Sequence, residues 1–509
     1  MTDSRPSVDP EVATIVALGT PKIYLPKSKT VSHSDEIHTP THSEKDEFKV
    51  SLDESESPLF LPSFRKWAAV CAICTSTTCV TCGSSMAAAT FPQIENRFSI
   101  GIETATLSIS LYIAGLGIGP LFFGGLSEFL GRNIIYRTSF VTFTLLTFPV
   151  AFANNPAVHL IFRFFTGFAG SAFLSVAGGS MADLFHKDKV STPVALYSAS
   201  PFIGPVLGPA ISGFINYNAS WRWTYYTLLI WSTVQCVLIF ATMSLILEEI
   251  MMTDSLSRIR KQTGDDRYFS PYDTQGRSMA ETVKLSVYKP FLIMLYEPMV
   301  LLLNIWTSTL LGIVYLTFSV FPIIFGEVHH FRKDLVGLSY LGLGLGMIFA
   351  TGSQPIWNRV NARTREKYGA LGKEPPPETT LYPAMAAAIL VPVGLYMFAF
   401  TVYGSVHWAV PILLIAPFGT GTVLAFVSTF TFLVSTYRAD AASAMSSNSF
   451  LRSSFAAAFP LFARPMFRSM TNTGALAFIA GMTTLMAPLP FVFYKFGPRL
   501  RKRSRYAVS

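Results

Sequence analysis

Residues 124 to 133 read Gly124-Gly125-Leu126-Ser127-Glu128-Phe129-Leu130-Gly131-Arg132-Asn133. An acid and an arginine four residues apart, framed by glycines that permit a tight turn, form a compact polar link able to lock two helices by charge. On a soluble surface such an ion pair contributes little. Here the turn lies between two apolar runs, roughly 105 to 125 and 134 to 153, each about the 20 residues needed to cross a bilayer's hydrocarbon.

The same pattern continues in both directions. Of the 509 residues, 50% are hydrophobic and 14% charged, and mean hydropathy is +0.42; a soluble domain carries about 25% charged residues. A soluble enzyme on a single anchor is excluded. Apolar runs predict twelve spans, at roughly 67 to 89, 105 to 125, 134 to 153, 157 to 180, 193 to 215, 223 to 246, 299 to 324, 334 to 354, 382 to 403, 409 to 435, 441 to 463 and 474 to 496. A polar stretch between the sixth and seventh divides them six plus six. The chain is therefore expected to be an all-α membrane protein: a disordered cytosolic tail over 1–63, a six-helix half over 64–247, a cytosolic loop over 248–298, a second half over 299–496 and a basic cytosolic tail over 497–509.

Residues 1 to 63 hold 11 Asp and Glu against 6 Lys and Arg, although the whole chain carries +9. They contain no apolar run preceded by a basic segment, so they do not read as a signal peptide. The remaining basic residues gather in alternate loops, among them Arg65, Lys66, Arg132, Arg137, Lys187, Lys189, Arg363, Arg365 and the run from Arg499 to Arg505. That distribution follows membrane topology rather than nucleic-acid binding, and places both termini in the cytosol. Cys71, Cys74, Cys79 and Cys82 mimic a zinc motif, but only four residues separate the pairs and all lie within one apolar helix. They read as a packing stripe. Gly115, Gly117 and Gly119 in the second span have counterparts in Gly342, Gly344 and Gly346 of the eighth, as expected of two repeated halves that rock about a central site.

The turn after the second span resembles the signature loop of the major facilitator superfamily, with Glu128 for its Asp, Phe129 for its first Arg and Asn133 for its last basic residue. The resemblance narrows to the fungal drug:proton antiporter group with twelve spans. It is carried also by Arg163-Phe164-x-x-Gly167, Asp183-Leu184-Phe185, Gly204-Pro205-x-x-Gly208-Pro209, Glu297-Pro298, Pro377-Glu378-Thr379 and Leu451-Arg452-Ser453. It implies the major facilitator fold and proton-driven export. It also implies that Gly204, Pro205, Gly208 and Pro209 form an antiporter motif, that Glu128, Arg132 and Asp183 form a cytosolic gate, and that Arg163 takes part in proton coupling. Lys187-Asp188-Lys189 and Thr380 depart from the family pattern, which weakens the transfer of loop contacts.

Charges inside spans are costly and therefore usually functional or paired. Arg163, with His159 one turn away on the same face, is the first candidate for proton coupling; the alternative is a structural arginine bonded to backbone carbonyls. Arg452, with Asn448 four residues before it, either binds an anionic substrate or ties two helices together. No carboxylate stands at mid-span. Tyr112, Tyr197, Tyr315, Phe318, Tyr340 and Phe426 are candidates for an aromatic substrate surface. No Walker A sequence occurs, so ATP is not the expected energy source, and neither a cofactor nor a metal is expected. His329 and Asp334 mimic an acyltransferase motif without a serine or cofactor around them.

The leading reading is a proton-coupled exporter of drugs, toxins or secondary metabolites, acting as a monomer in the cell or vacuolar membrane. The alternatives are an exporter dedicated to one organic acid or polyamine, and a non-transporting sensor on the same scaffold.

Overall fold

Eleven helices among the described residues are long and apolar enough to cross a membrane. They are Ser63–Phe98, Ile102–Ser127, Arg132–Ala151, Pro156–Met181, Thr192–Asn218, Arg222–Thr242, Pro298–Val328, Lys333–Gly369, Pro377–Ala399, Ala409–Thr436 and Asn472–Arg501. They match the predicted spans one to ten and twelve, and keep those ordinals below. In the eleventh place stands the 29-residue helix Ala441–Ser469. At about 1.5 Å per residue it is long enough to cross, but Arg452, Arg464, Arg468 and a series of serines make it too polar to count by composition. It lies along the seventh and second spans, with Ser447, Asn448 and Ser453 buried, so these polar residues face protein rather than lipid.

The computed structural model describes residues 23–24, 51–52, 62–185, 191–243, 279–370, 372, 375–437, 440–502 and 504–506. The expected disordered tail and the loop departure at Lys187 to Lys189 therefore fall outside the described residues, except that Ile23–Tyr24 pairs antiparallel with Ser51–Leu52. The side chains of Glu128 and Asp183 also lie outside the description. The expected loop over 248–298 differs in its last third, where Met279–Tyr296 is a helix packed on the second span. Leu285, Tyr288, Phe291 and Leu292 recur at helical spacing there, and they outweigh the charges of Lys284 and Lys289.

The two glycine triplets show how the halves correspond. Cβ atoms at Gly115 and Gly119 would run into Phe164 to Ser171 of the fourth span, while one at Gly117 would strike Ser453 in the opposite half. Cβ atoms at Gly342 and Gly346 would run into Ile412 and Ala416 of the tenth span, while one at Gly344 would strike Val206 in the opposite half. Adding six to each span number in the first half maps two onto eight, four onto ten, and five onto the helix in eleventh place. The outer glycines thus close each half, and the middle one joins the halves.

The side on which the first span begins is here called the tail side. One apolar core unites the second half with the far-side residues of the first, including Ala87, Phe91, Ile109, Phe202 and Trp221. A separate core of Ala69, Val80, Phe140, Phe173 and Leu184, on the tail side, holds first-half residues alone. Far-side closure is extended by Arg332, whose guanidinium lies 4.9 Å over the Tyr217 ring.

Candidate functional site

The centre of the first half is built on one turn of the first span. Its α-helix ends at Ser85 and continues as a 3-10 helix over Met86–Thr90. Such a change of pitch frees carbonyls from regular helical bonding. Arg163, 1% exposed, takes two of them, donating from Nη1 to Gly83 O at 2.9 Å and from Nη2 to Ser84 O at 3.3 Å. Its Nε donates to Ser108 O of the second span at 2.9 Å, and its guanidinium lies 4.2 Å over the Tyr112 ring.

His159 belongs to the same network. Its Nδ1 lies 3.3 Å from Val150 O, which only accepts, so Nδ1 carries the proton. In that neutral ring, Nε2 accepts from the Ser108 hydroxyl at 3.1 Å. Ser108 thus joins the imidazole through its hydroxyl to the guanidinium through its carbonyl.

The Gly-Pro motif grips the same turn from the other side. A Cβ at Gly204 would run into Thr81 and Cys82, and one at Gly208 into Ser85. The Ser85 hydroxyl donates to Gly204 O at 3.1 Å. Pro201, Pro205 and Pro209 recur every fourth residue inside this fifth span. The segment from Thr81 to Ser85 is therefore held by Arg163 and by the motif together, which the spacing of the motifs did not reveal.

Arg452 occupies the second centre, between the halves. Its guanidinium stands 5.3 Å from the Phe426 ring and 5.4 Å from that of Phe430, and it makes no hydrogen bond or ion pair among the described residues. One turn away, Asn448 donates to Asn304 Oδ1 and to Thr307 Oγ1, each at 2.9 Å, and Asn304 donates to Ser447 Oγ at 3.0 Å. Asn448, not Arg452, ties this helix to the seventh span.

The six aromatic candidates divide. Tyr197, Tyr315 and Phe426 gather near Arg452, with both phenols in its electrostatic range and Phe426 5.2 Å from Phe202 across the halves. Phe318 stands edge-on to Tyr315 at 5.1 Å. Tyr112 belongs to the Arg163 centre and donates to Val80 O at 2.7 Å. Tyr340 faces the interior of the second half, bonded to Thr317 O at 3.0 Å with its ring 4.5 Å from Phe321. Tyr340 meets that cluster only through Phe318, whose ring lies 5.5 Å from its own.

Of the expected gate, Arg132 reaches across the tail-side end of the fourth span. It donates to Val176 O at 3.4 Å and lies where a Cβ at Gly179 would be. Asp334 is held by Arg332 at 2.8 and 3.3 Å rather than by His329. Partial burial, with His330 and His407 nearby, holds His329 below the ordinary histidine range. Cys74, Cys79 and Cys82 are buried and Cys71 exposed, so the cysteine stripe departs from the core where the first span emerges.

Sequence reading missed a tail-side latch. Glu378, 2% exposed, receives Arg501 Nε at 2.8 Å and Nη2 at 3.1 Å. Glu297 accepts from the Ser504 hydroxyl at 2.7 Å, from the Arg505 amide at 3.2 Å and from the Tyr437 hydroxyl at 3.2 Å. An acid before Pro298 and another after Pro377, with a basic C-terminal run, were the available signals.

Two corresponding helical halves around buried polar centres define a multi-pass membrane protein of the repeat-built transporter class. Residues 73–460 match the model of the Major Facilitator Superfamily, and the chain belongs to that superfamily. It is 46% identical over 396 residues to the efflux pump atB of Aspergillus terreus, spanning 77% of this chain and 83% of that one. It is 38% identical over 419 residues to the probable drug/proton antiporter YHK8 of Saccharomyces cerevisiae, spanning 82% and 80%. The multidrug transporter mdrA of Aspergillus fumigatus is 36% identical over 472 residues, spanning 92% and 77%. The fold is shared with the xylose transporter XylE of E. coli at a TM-score of 0.57 and 14% identity, covering 85% of this chain and 98% of that one.

Proposed function

We propose that this protein exports small organic molecules, drugs or secondary metabolites among them, in exchange for protons. One observation carries the reading. The Gly204 and Gly208 contacts and the Arg163 bonds converge on a single turn of the first span, and the Ser84 hydroxyl of that turn meets Tyr315 of the other half. The names of the relatives, an efflux pump and a drug/proton antiporter, support it across most of the chain.

In this reading His159 is the proton-accepting group. A proton on Nε2 removes its capacity to accept from Ser108 and places a second positive charge beside Arg163. Both effects loosen the grip of Arg163 on Gly83 and Ser84, and with it the far-side closure. Arg132, Glu128 and Asp183 form the tail-side gate, the tail side faces the cytosol, and Ala441–Ser469 crosses as the eleventh span, which brings the number to twelve. One chain supplies both halves, so the protein acts as a monomer. Its protons and substrate are its only small partners; it needs no cofactor or metal, and it performs no enzymatic step.

The test is accumulation by the full chain in proteoliposomes of acidic lumen, using ethidium, rhodamine 6G and radiolabelled aromatic acids and amines. The expected accumulation collapses with a protonophore and does not respond to ATP. Accumulation of any of these that requires ATP and persists without a proton gradient or membrane potential contradicts the reading.

A further inference from the structure

We propose that Arg452 holds the ionised acid group of planar aromatic organic acids, which makes such anions a substrate class of this protein. The proposal rests on the export reading above and deepens it.

The two arginines inside the protein differ in a telling way. Arg163 is occupied, with Nε and both terminal nitrogens donating to backbone carbonyls. Arg452 donates to nothing among the described residues, and its Nε is buried. Arg452 is half-buried, with its Nε shut from water and its terminal nitrogens open to a ligand; a buried donor without a partner is costly, and an anion bound at the guanidinium offsets that cost. The structural alternative, that Arg452 ties helices together, is already met by Asn448 through Asn304 and Thr307.

The surroundings select the shape of the anion. Phe426 and Phe430 approach the guanidinium at 5.3 and 5.4 Å. A ring stacked near a guanidinium leaves its in-plane N–H groups able to bind a carboxylate through two parallel bonds. The same rings offer flat apolar walls to an aromatic body attached to that carboxylate. Acids on the tail side of the second half are occupied elsewhere: Asp440 by Lys289, Glu378 by Arg501, and Glu297 by Ser504, Arg505 and Tyr437. Tyr197 and Tyr315 approach from the two halves, and Phe426 touches Phe202 across them. An anion on Arg452 therefore sits where movement of the halves alters its contacts, as a transported ligand must.

Binding to the purified full chain tests this with benzoate, salicylate and 2-naphthoate, each against its neutral amide. Affinities are measured by ligand-induced thermal stabilisation at a pH where the acids are ionised. The expected result is about a tenfold preference for each acid over its amide, the ratio that one charge-assisted contact supplies. Arg452→Gln should abolish the preference, and Arg452→Lys should keep part of it. Phe430→Ala should weaken acid and amide alike. Equal affinity of acid and amide in the parent protein, or a preference that survives Arg452→Gln in a monodisperse sample, overturns the proposal. Amine or dye export driven by a pH gradient without any acid preference would overturn this proposal alone. Arg452-dependent acid binding without gradient-driven flux would support the binding assignment and overturn the export reading, and with it the claim that these acids are carried.

Discussion

The hydroxyl of Tyr315 lies 2.9 Å from that of Ser84, joining the two halves at the turn whose carbonyls Arg163 holds. The bond is buried and spans the plane along which the halves must separate. Tyr315→Phe removes it without changing the ring. A buried neutral hydrogen bond contributes about 1 kcal/mol, enough to shift a two-state ratio roughly fivefold. The variant should populate the far-side-closed form less, which a Gly178→Cys reporter measures on a background lacking the five native cysteines. Gly178 meets open space on the tail side, so its labelling from that side should fall in Tyr315→Phe.

Arg132→Ala should move the same reporter the other way. Arg132 braces the end of the fourth span by lying across Gly179 and bonding Val176 O. Its loss frees that end, and tail-side labelling of Gly178→Cys should rise. Unchanged labelling in a folded Arg132→Ala protein would reduce the arginine to a solvated loop charge.

Gly204→Ala and Gly208→Ala should destabilise the protein, because each new methyl meets the first span's own backbone or a short side chain fixed to it. Overpacking of this kind costs about 1 to 3 kcal/mol. Gly344→Ala and Gly117→Ala, at corresponding contacts between the halves, should do the same. Gly352→Ala, which meets open space, is the control that should leave thermal stability unchanged. Fluorescence-detected size exclusion after heating measures the difference.

Removing residues 501 to 509 should be more damaging than the loss of an ordinary tail. Glu378 and Glu297, 2% and 4% exposed in the intact chain, would lose Arg501, Ser504 and the Arg505 amide. A buried acid left without its partner costs about 3 to 5 kcal/mol. Glu378→Gln combined with the truncation should recover part of that loss in the same heating assay.

The two-half architecture was legible because apolar run length and glycine spacing are set by the bilayer and by backbone contact, which few substitutions can imitate. Arg163 stands out because a charge among apolar neighbours is conspicuous, and backbone carbonyls are partners open to such a charge. Ser84 was not legible: it is one hydroxyl in a span that also holds Ser76, Thr77, Thr81 and Ser85, and only the three-dimensional meeting with Tyr315 distinguishes it. The aromatic candidates were only partly legible, since 43 phenylalanines and 20 tyrosines leave no pattern that separates Phe426, beside Arg452, from Tyr340 inside its own half. Met279–Tyr296 was read as loop because its lysines obscured an apolar face. The helix Ala441–Ser469 shows the converse case, in which polar residues lower hydropathy because they face the protein's interior.

We propose that substrate and proton move in opposite directions through the network joining His159, Ser108 and Arg163. Pyranine trapped in proteoliposomes reports this directly when the best-accumulated compound of the panel is added outside in the absence of an imposed pH gradient. Entry of the compound should drive protons out and turn the lumen alkaline. Arg163→Ala, folded and inserted, should abolish both movements, and His159→Gln should abolish the proton movement. Compound entry with no change of lumenal pH, or full exchange in the folded Arg163→Ala protein, would contradict the proposal.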